Sequence, residues 1–249
     1  MLNENSQAQF KESQVNANLL IRRANAVYSW GKDYRLAFTL YNEAAEAGDP
    51  RGMQGLANCY FQGRGADANV QKGLFWLQKA AESGLATAQF ELGRRFLGGE
   101  DVPQDNDAAF SWFLLAARQN EPNALYLVGL CYFTGRCVAR DYREAFRYFC
   151  LAEERRNRPS LYFLALAYQK GLGTEVDQLK ALDYMNKAAR WGLPNAAFQL
   201  GVWYYEGICA APDKDAARYW LDIAIDDGSV EAQDFIQNHP DLQNINEQK

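Results

Sequence analysis

The residues able to do chemistry are few and awkwardly placed. One histidine, His239, sits beside Pro240 near the C-terminus. A single imidazole in a terminal stretch cannot run acid–base chemistry across a cleft, which needs a partner group within hydrogen-bond reach. Its plain reading is an exposed tail residue. Carboxylates are more suggestive: Asp33, Asp105, Asp141, Asp177 and Asp213, with Asn69 in the same column, recur at one fixed interval of 36 positions. Paired carboxylates could serve as acid and base. A strict interval, with each member just ahead of a helical pattern, instead points to side chains that accept hydrogen bonds from free backbone N–H groups. Glycine-rich loops, such as Gly63 to Ala68 and Gly99 to Gln104, lack the Gly-Lys-Ser/Thr ending of a phosphate-binding loop, and no strand precedes them. These residues predict no catalytic site and no enzyme.

The same interval runs through the chain. An alanine column reads Ala44, Ala80, Ala116, Ala152, Ala188 and Ala224. A large apolar column (Leu56, Leu92, Val128, Leu164, Leu200) is followed by a small one: Ala57, Gly93, Gly129, Ala165 and Gly201. Three residues further on comes an aromatic column, Tyr60, Phe96, Tyr132, Tyr168 and Tyr204, and then glycine at 63, 99, 135, 171 and 207. A second aromatic column reads Trp76, Trp112, Tyr148, Tyr184 and Trp220. A fixed period of this length is the mark of stacked helix pairs. The small residues let two helices approach, the aromatics fill the groove between units, and the glycines suit the left-handed residue that ends a helix.

The motif small–x–x–x–Leu–Gly–x–x–Tyr–x–x–Gly, then Asp–x–x–x–Ala–x–x–Trp–x–x–x–Ala–Ala–x–x–Gly, stands nearly whole at Ala88 to Ala117 and at Ala196 to Gly228. It resembles the Sel1-like repeat, a relative of the tetratricopeptide repeat. Departures are local. Gly73 replaces a helix-B alanine, Ser160 replaces a helix-A alanine, and Asn120 and Asn157 stand where an inter-unit glycine is expected. The resemblance implies an all-α, right-handed superhelix of about six helix pairs with a C-terminal capping helix. A polar arm is expected over 1–15, a single solenoid over 16–237 and a loose tail over 238–249. Asn16 to Ser29 reads as the first helix A, and Trp30 to Asp33 as a short turn.

Composition narrows the function. The formal net charge is −5 and the sequence pI about 5.1, against a general nucleic-acid binder. The longest apolar runs are too short to span a bilayer, and the N-terminus does not read as a secretory signal. Cys59 and Cys131 share a column two units apart, as do Cys137 and Cys209, too far for a disulfide. With Cys150 they read as reduced thiols in a cytoplasmic protein. No Cys-x-x-Cys pair accompanies the lone histidine, so neither a metal site nor a cofactor is expected.

What remains is a surface. By analogy with the related repeat, the concave face of successive first helices should carry Phe90, Tyr126, Tyr162 and Phe198, with Arg94, Leu130, Leu166 and Val202 beside them. One turn further lie Phe61, Leu97, Phe133 and Tyr205, and Lys170 is the second candidate charged contact. Such a face suits an extended peptide or an amphipathic helix, although the same aromatics would serve equally as packing between units. The resemblance implies a protein-interaction scaffold or adaptor, of a kind common in bacteria. A regulatory inhibitor or immunity-type protein that blocks one enzyme is the alternative. The convex face and the loops near Arg64, Glu100 and Arg136 are the fallback surfaces.

Overall fold

The computed structural model describes residues 16–243 apart from 32, 100 and 194. The arm expected over 1–15 and positions 244–249 lie outside the described residues. Within them every regular element is helical. Two compact units divide the chain, residues 1–121 and 122–249. Unit 1 holds α1 (16–26), a π-helical turn Val27–Gly31, α2 (Tyr34–Glu46), α3 (Pro50–Gln62), α4 (Val70–Glu82), α5 (Ala86–Gly98) and α6 (Asn106–Arg118). Unit 2 holds α7 (Pro122–Thr134), α8 (Tyr142–Glu154), α9 (Ser160–Lys170), α10 (Gln178–Arg190), α11 (Ala196–Glu206) and α12 (Lys214–Asp226). It closes with α13 (Val230–Asn238) and α14 (Pro240–Gln243). In each unit successive helices pack on one another, odd-numbered first helices against even-numbered second helices. No described helix is long and apolar enough to cross a membrane.

The Asp/Asn column is a set of caps. Asp33 accepts from the Leu36 N–H, Asn69 from Lys72, Asp105 from Asp107 and Ala108, Asp141 from Arg143 and Glu144, Asp177 from Lys180, and Asp213 from Ala216. Each satisfies a donor that the first helical turn leaves without a partner, a contribution of about 1 kcal/mol per helix. First helices end as expected on Gly63, Gly99, Gly135, Gly171 and Gly207, with φ between 64° and 75°.

Second helices end differently. The alanine column supplies a carbonyl to the N–H five residues on: Asp49 to Ala44, Leu85 to Ala80, Glu121 to Ala116, Asn157 to Ala152, Leu193 to Ala188 and Ser229 to Ala224, at 2.8–3.2 Å. The residue before each donor is left-handed: Gly48, Gly84, Asn120, Arg156, Gly192 and Gly228. This corrects one expectation. Arg156, not Asn157, occupies the inter-unit glycine position, with φ 62°. Asn157 is buried instead; its Oδ1 accepts the Ser160 N–H at 3.2 Å and its amide donates to Asn123 at 3.1 Å.

The small-residue column is set by the facing helix. A Cβ at Gly93 would stand 2.8 Å from the Phe113 ring, one at Gly129 2.8 Å from Phe149, and one at Gly201 2.7 Å from Leu221. The two aromatic columns meet inside a repeat, Tyr132 on Tyr148 and Tyr168 on Tyr184, as stacked pairs 5.9 and 5.8 Å apart. They also reach the preceding second helix, as Tyr168 does at Phe146 and Tyr60 at Phe38.

Both ends of the sequence reading need correction. The turn expected from Trp30 begins earlier and is π-helical over Val27–Gly31, leaving Trp30 exposed. The segment read as a loose tail from 238 is packed as far as Gln243. Leu242 is fully buried, and Arg218 donates to its carbonyl at 2.8 Å. His239, expected to be exposed, stacks on Phe235 at 4.1 Å. The last pair of helices would otherwise end on an apolar surface, and these residues cover it.

Two outcomes follow. At Gly135 (φ 72°) a side chain finds ordinary space, its Cβ 3.4 Å from Arg140, so only backbone strain opposes substitution. Gly135→Val should cost about 1–2 kcal/mol in urea unfolding; an unchanged midpoint contradicts the helix-end assignment. Burial, reinforced by nearby acidic groups, raises the Tyr41 and Tyr184 hydroxyls from 10.0 to about 12. A folded-state value above the unfolded one means their stabilisation is complete below pH 10 and is lost as pH rises from 10 through 12. Tyr184→Phe should flatten this alkaline limb of a pH–stability profile; an identical limb in the variant contradicts the assignment.

Candidate functional site

The first helices place the candidate residues on α3, α5, α7, α9 and α11. In unit 1, Phe61 is half-buried beneath Arg95, whose guanidinium carbon lies 3.6 Å from the ring centroid. Arg95 also pairs with Asp101, and with Glu91 at 3.4 Å. Gly73 explains itself here, because a Cβ at that position would stand 2.5 Å from the Phe61 ring. The alanine that the repeat pattern expects has given way to a larger neighbour. Phe90 lies 6.1 Å from Phe113, Leu97 is half-buried, and Arg94 is exposed and paired with Glu91 at 3.3 Å.

In unit 2 the rings converge on a residue that the columns did not single out. Tyr126, Phe133 and Tyr162 lie 5.8, 5.3 and 5.5 Å from Phe163. Phe163 in turn stacks on Phe149 at 5.0 Å. Its repeat column reads Gly55, Glu91, Leu127, Phe163 and Gln199, without a shared chemistry, so periodicity could not reveal it. Leu130, Leu166 and Val202 are half-buried beside these rings in sequence, and Lys170 is exposed. Phe198 and Tyr205 face the cap: Phe235 lies 6.1 and 5.5 Å from them, and His239 lies 4.7 Å from Tyr205. The Tyr205 hydroxyl donates to Asp241 at 3.2 Å. This end of the expected surface is therefore occupied by the chain's own C-terminal segment.

The reactive groups are quiet. Burial holds the Tyr126 and Tyr162 hydroxyls above their ordinary value, so they act as neutral phenols. All five cysteines are free thiols. Burial raises Cys59, Cys150 and Cys209 to about 11 and raises Cys131 as well. Protonated thiols are weak nucleophiles at neutral pH. Among the described residues no group of three or more His, Cys, Asp or Glu side chains could hold a metal ion. The arrangement offers shape, aromatic surface and a few charges.

Known proteins share both pattern and fold. A Sel1 repeat protein from Oxalobacter formigenes is 26% identical with a TM-score of 0.79, over 86% of this chain and 84% of its own. A protective antigen present in uropathogenic Escherichia coli strains, with an SLR fold, is 28% identical with a TM-score of 0.78. That alignment covers 94% of this chain and 50% of the antigen, so the chain spans half its length. No curated protein matches the chain. The Sel1 repeat itself matches six successive segments, 29–49, 50–85, 86–121, 122–157, 158–192 and 194–229. With those six copies, and with caps and left-handed turns recurring at the same interval, the chain belongs to the Sel1 repeat family.

Proposed function

We propose that the protein is a scaffold or adaptor that binds a peptide or protein partner along its first helices. Sel1 repeat proteins are generally protein-interaction scaffolds. The observation that carries the reading here is the Phe163 cluster in unit 2, where Tyr126, Phe133 and Tyr162 converge while remaining partly exposed. Half-exposed tyrosines around a partly buried phenylalanine give a partner both apolar area and phenolic hydrogen bonds. Unit 1 offers Phe90 and the exposed Arg94 on its own first helix. No acid–base or nucleophilic constellation competes with this reading among the described residues. The free, protonated thiols support a reducing, cytoplasmic setting, and the bacterial sources of the similar structures support a bacterial one.

The test pairs binding with stability. Partners captured on the immobilised chain are identified by mass spectrometry, and affinity and melting temperature are measured for Tyr126→Ala, Tyr162→Ala and Arg94→Ala. An anchor should cost about 2 kcal/mol or more of binding beyond any loss of folding. Full affinity in all three, or losses that only track stability, would move the binding site elsewhere. A tight one-to-one complex with a single enzyme would instead favour the inhibitor alternative.

A further inference from the structure

At the turn from α8 into α9, unit 2 contains a cleft of about 380 Å³. Arg156, Arg158, Lys187 and Trp191 line it, with Glu153 and Leu161. One repeat later the cleft recurs at the same volume, lined instead by Gly192, Asn195, Ala197, Asp227 and Glu231. The correspondence is register for register: Gly192 answers to Arg156, Ala197 to Leu161 and Asp227 to Trp191. The fold makes the cavity in both repeats. It requires the cationic and aromatic lining in neither.

Three residues depart from their columns at this one place. Arg156 is left-handed where every equivalent residue is glycine or asparagine, and a β-carbon is strained there. Arg158 stands where other repeats have Pro50, Ala86, Pro122, Pro194 and Val230. Trp191, largely exposed, stands where they have Ala47, Ser83, Gln119, Arg155 and Asp227. The Arg158 guanidinium lies 3.6 Å over the Trp191 ring. Stacking through its face holds the group in plane and uses none of its five N–H donors. Among the described residues neither the Arg156 nor the Arg158 guanidinium has a hydrogen-bond or ion-pair partner, whereas Lys187 pairs with Asp183 at 2.7 Å.

We propose that this cleft binds an acidic segment of a protein partner, a side-chain carboxylate bridging the Arg156 and Arg158 guanidiniums and an apolar neighbour lying against Trp191. Planar forks match a carboxylate bidentately. The Asp183–Lys187 pair leaves Arg156 and Arg158 as the cleft's available cations, enough for an isolated carboxylate, while Glu153 in the lining and the net charge of −5 oppose a continuous polyanion. This rests on the scaffold reading and names its partner's chemistry.

The probe is a fluorescein-labelled short peptide of alternating glutamate and leucine, with glutamine replacing glutamate as the neutral control, followed by anisotropy. Arg156→Gly/Arg158→Ala should bind it at least about tenfold more weakly, since hydrogen bonds to charged groups are worth that order. Glycine relieves the left-handed backbone, so Arg156→Gly alone should keep or raise the melting temperature while binding falls. Removing two exposed charges in unit 1, Arg22→Ala/Arg23→Ala, should change affinity by less than about twofold. Absence of saturable binding, equal loss in the unit 1 variant, or equal affinity for the glutamine peptide would each overturn the proposal. Tenfold tighter binding of a phosphoserine version would reassign the cleft to phosphate. Self-association abolished by the double variant would reassign it to a second copy. A captured partner indifferent to the double variant sinks the cleft and leaves the scaffold reading standing.

Discussion

Each repeat depends on a backbone closure at the end of its second helix. The N–H that opens the next repeat returns to an alanine carbonyl, and the residue before it must turn left-handed. Two carbonyls that the helix end would leave without partners are satisfied by this turn, and the chain direction is set within two residues. Alanine suits the carbonyl position because the helix is buried there, with Ala44, Ala80, Ala116, Ala152 and Ala188 fully enclosed. The cap carboxylates and the close approach at Gly93, Gly129 and Gly201 then act on helices whose spacing the turn has already limited.

With the backbone repeated so strictly, side chains vary by mutual adjustment. Phe61, Gly73 and Arg95 form one such set: the ring takes the space a β-carbon would need, and the guanidinium covers the ring. Phe149 and Phe163 form another, larger one, around which Tyr126, Phe133 and Tyr162 gather. Because aromatic rings give large contact area at small entropic cost, the same side chains that consolidate neighbouring helices would, in the proposed scaffold, also furnish a surface for a partner. A packing role at these positions is therefore compatible with the proposed binding role.

The chemistry of the chain follows from the same architecture. Thiols and phenols lie against apolar helix faces, where burial favours their protonated forms. At two successive turns of unit 2 the repeats leave clefts of equal size and unlike lining. A repeated frame with variable turns lets the turn lining differ between repeats that share one backbone. Turn residues can then change charge without disturbing the buried columns.

The sequence by itself determined what depends on local backbone demand. A helix start needs an acceptor, a left-handed residue favours glycine, and a close crossing excludes a β-carbon, so these positions recur as columns and Asp105, Gly135 and Gly129 could be read directly. The choice between Arg156 and Asn157 was less legible, since an asparagine beside the turn mimics the residue that makes it. Tertiary structure alone decided the rest. Phe163 became the centre of a cluster because three rings from α7 and α9 meet there, a relation that no single column records. Leu242 and His239 became structural because the last helix pair had an uncovered apolar face, and only the folded chain shows what lies within reach to cover it.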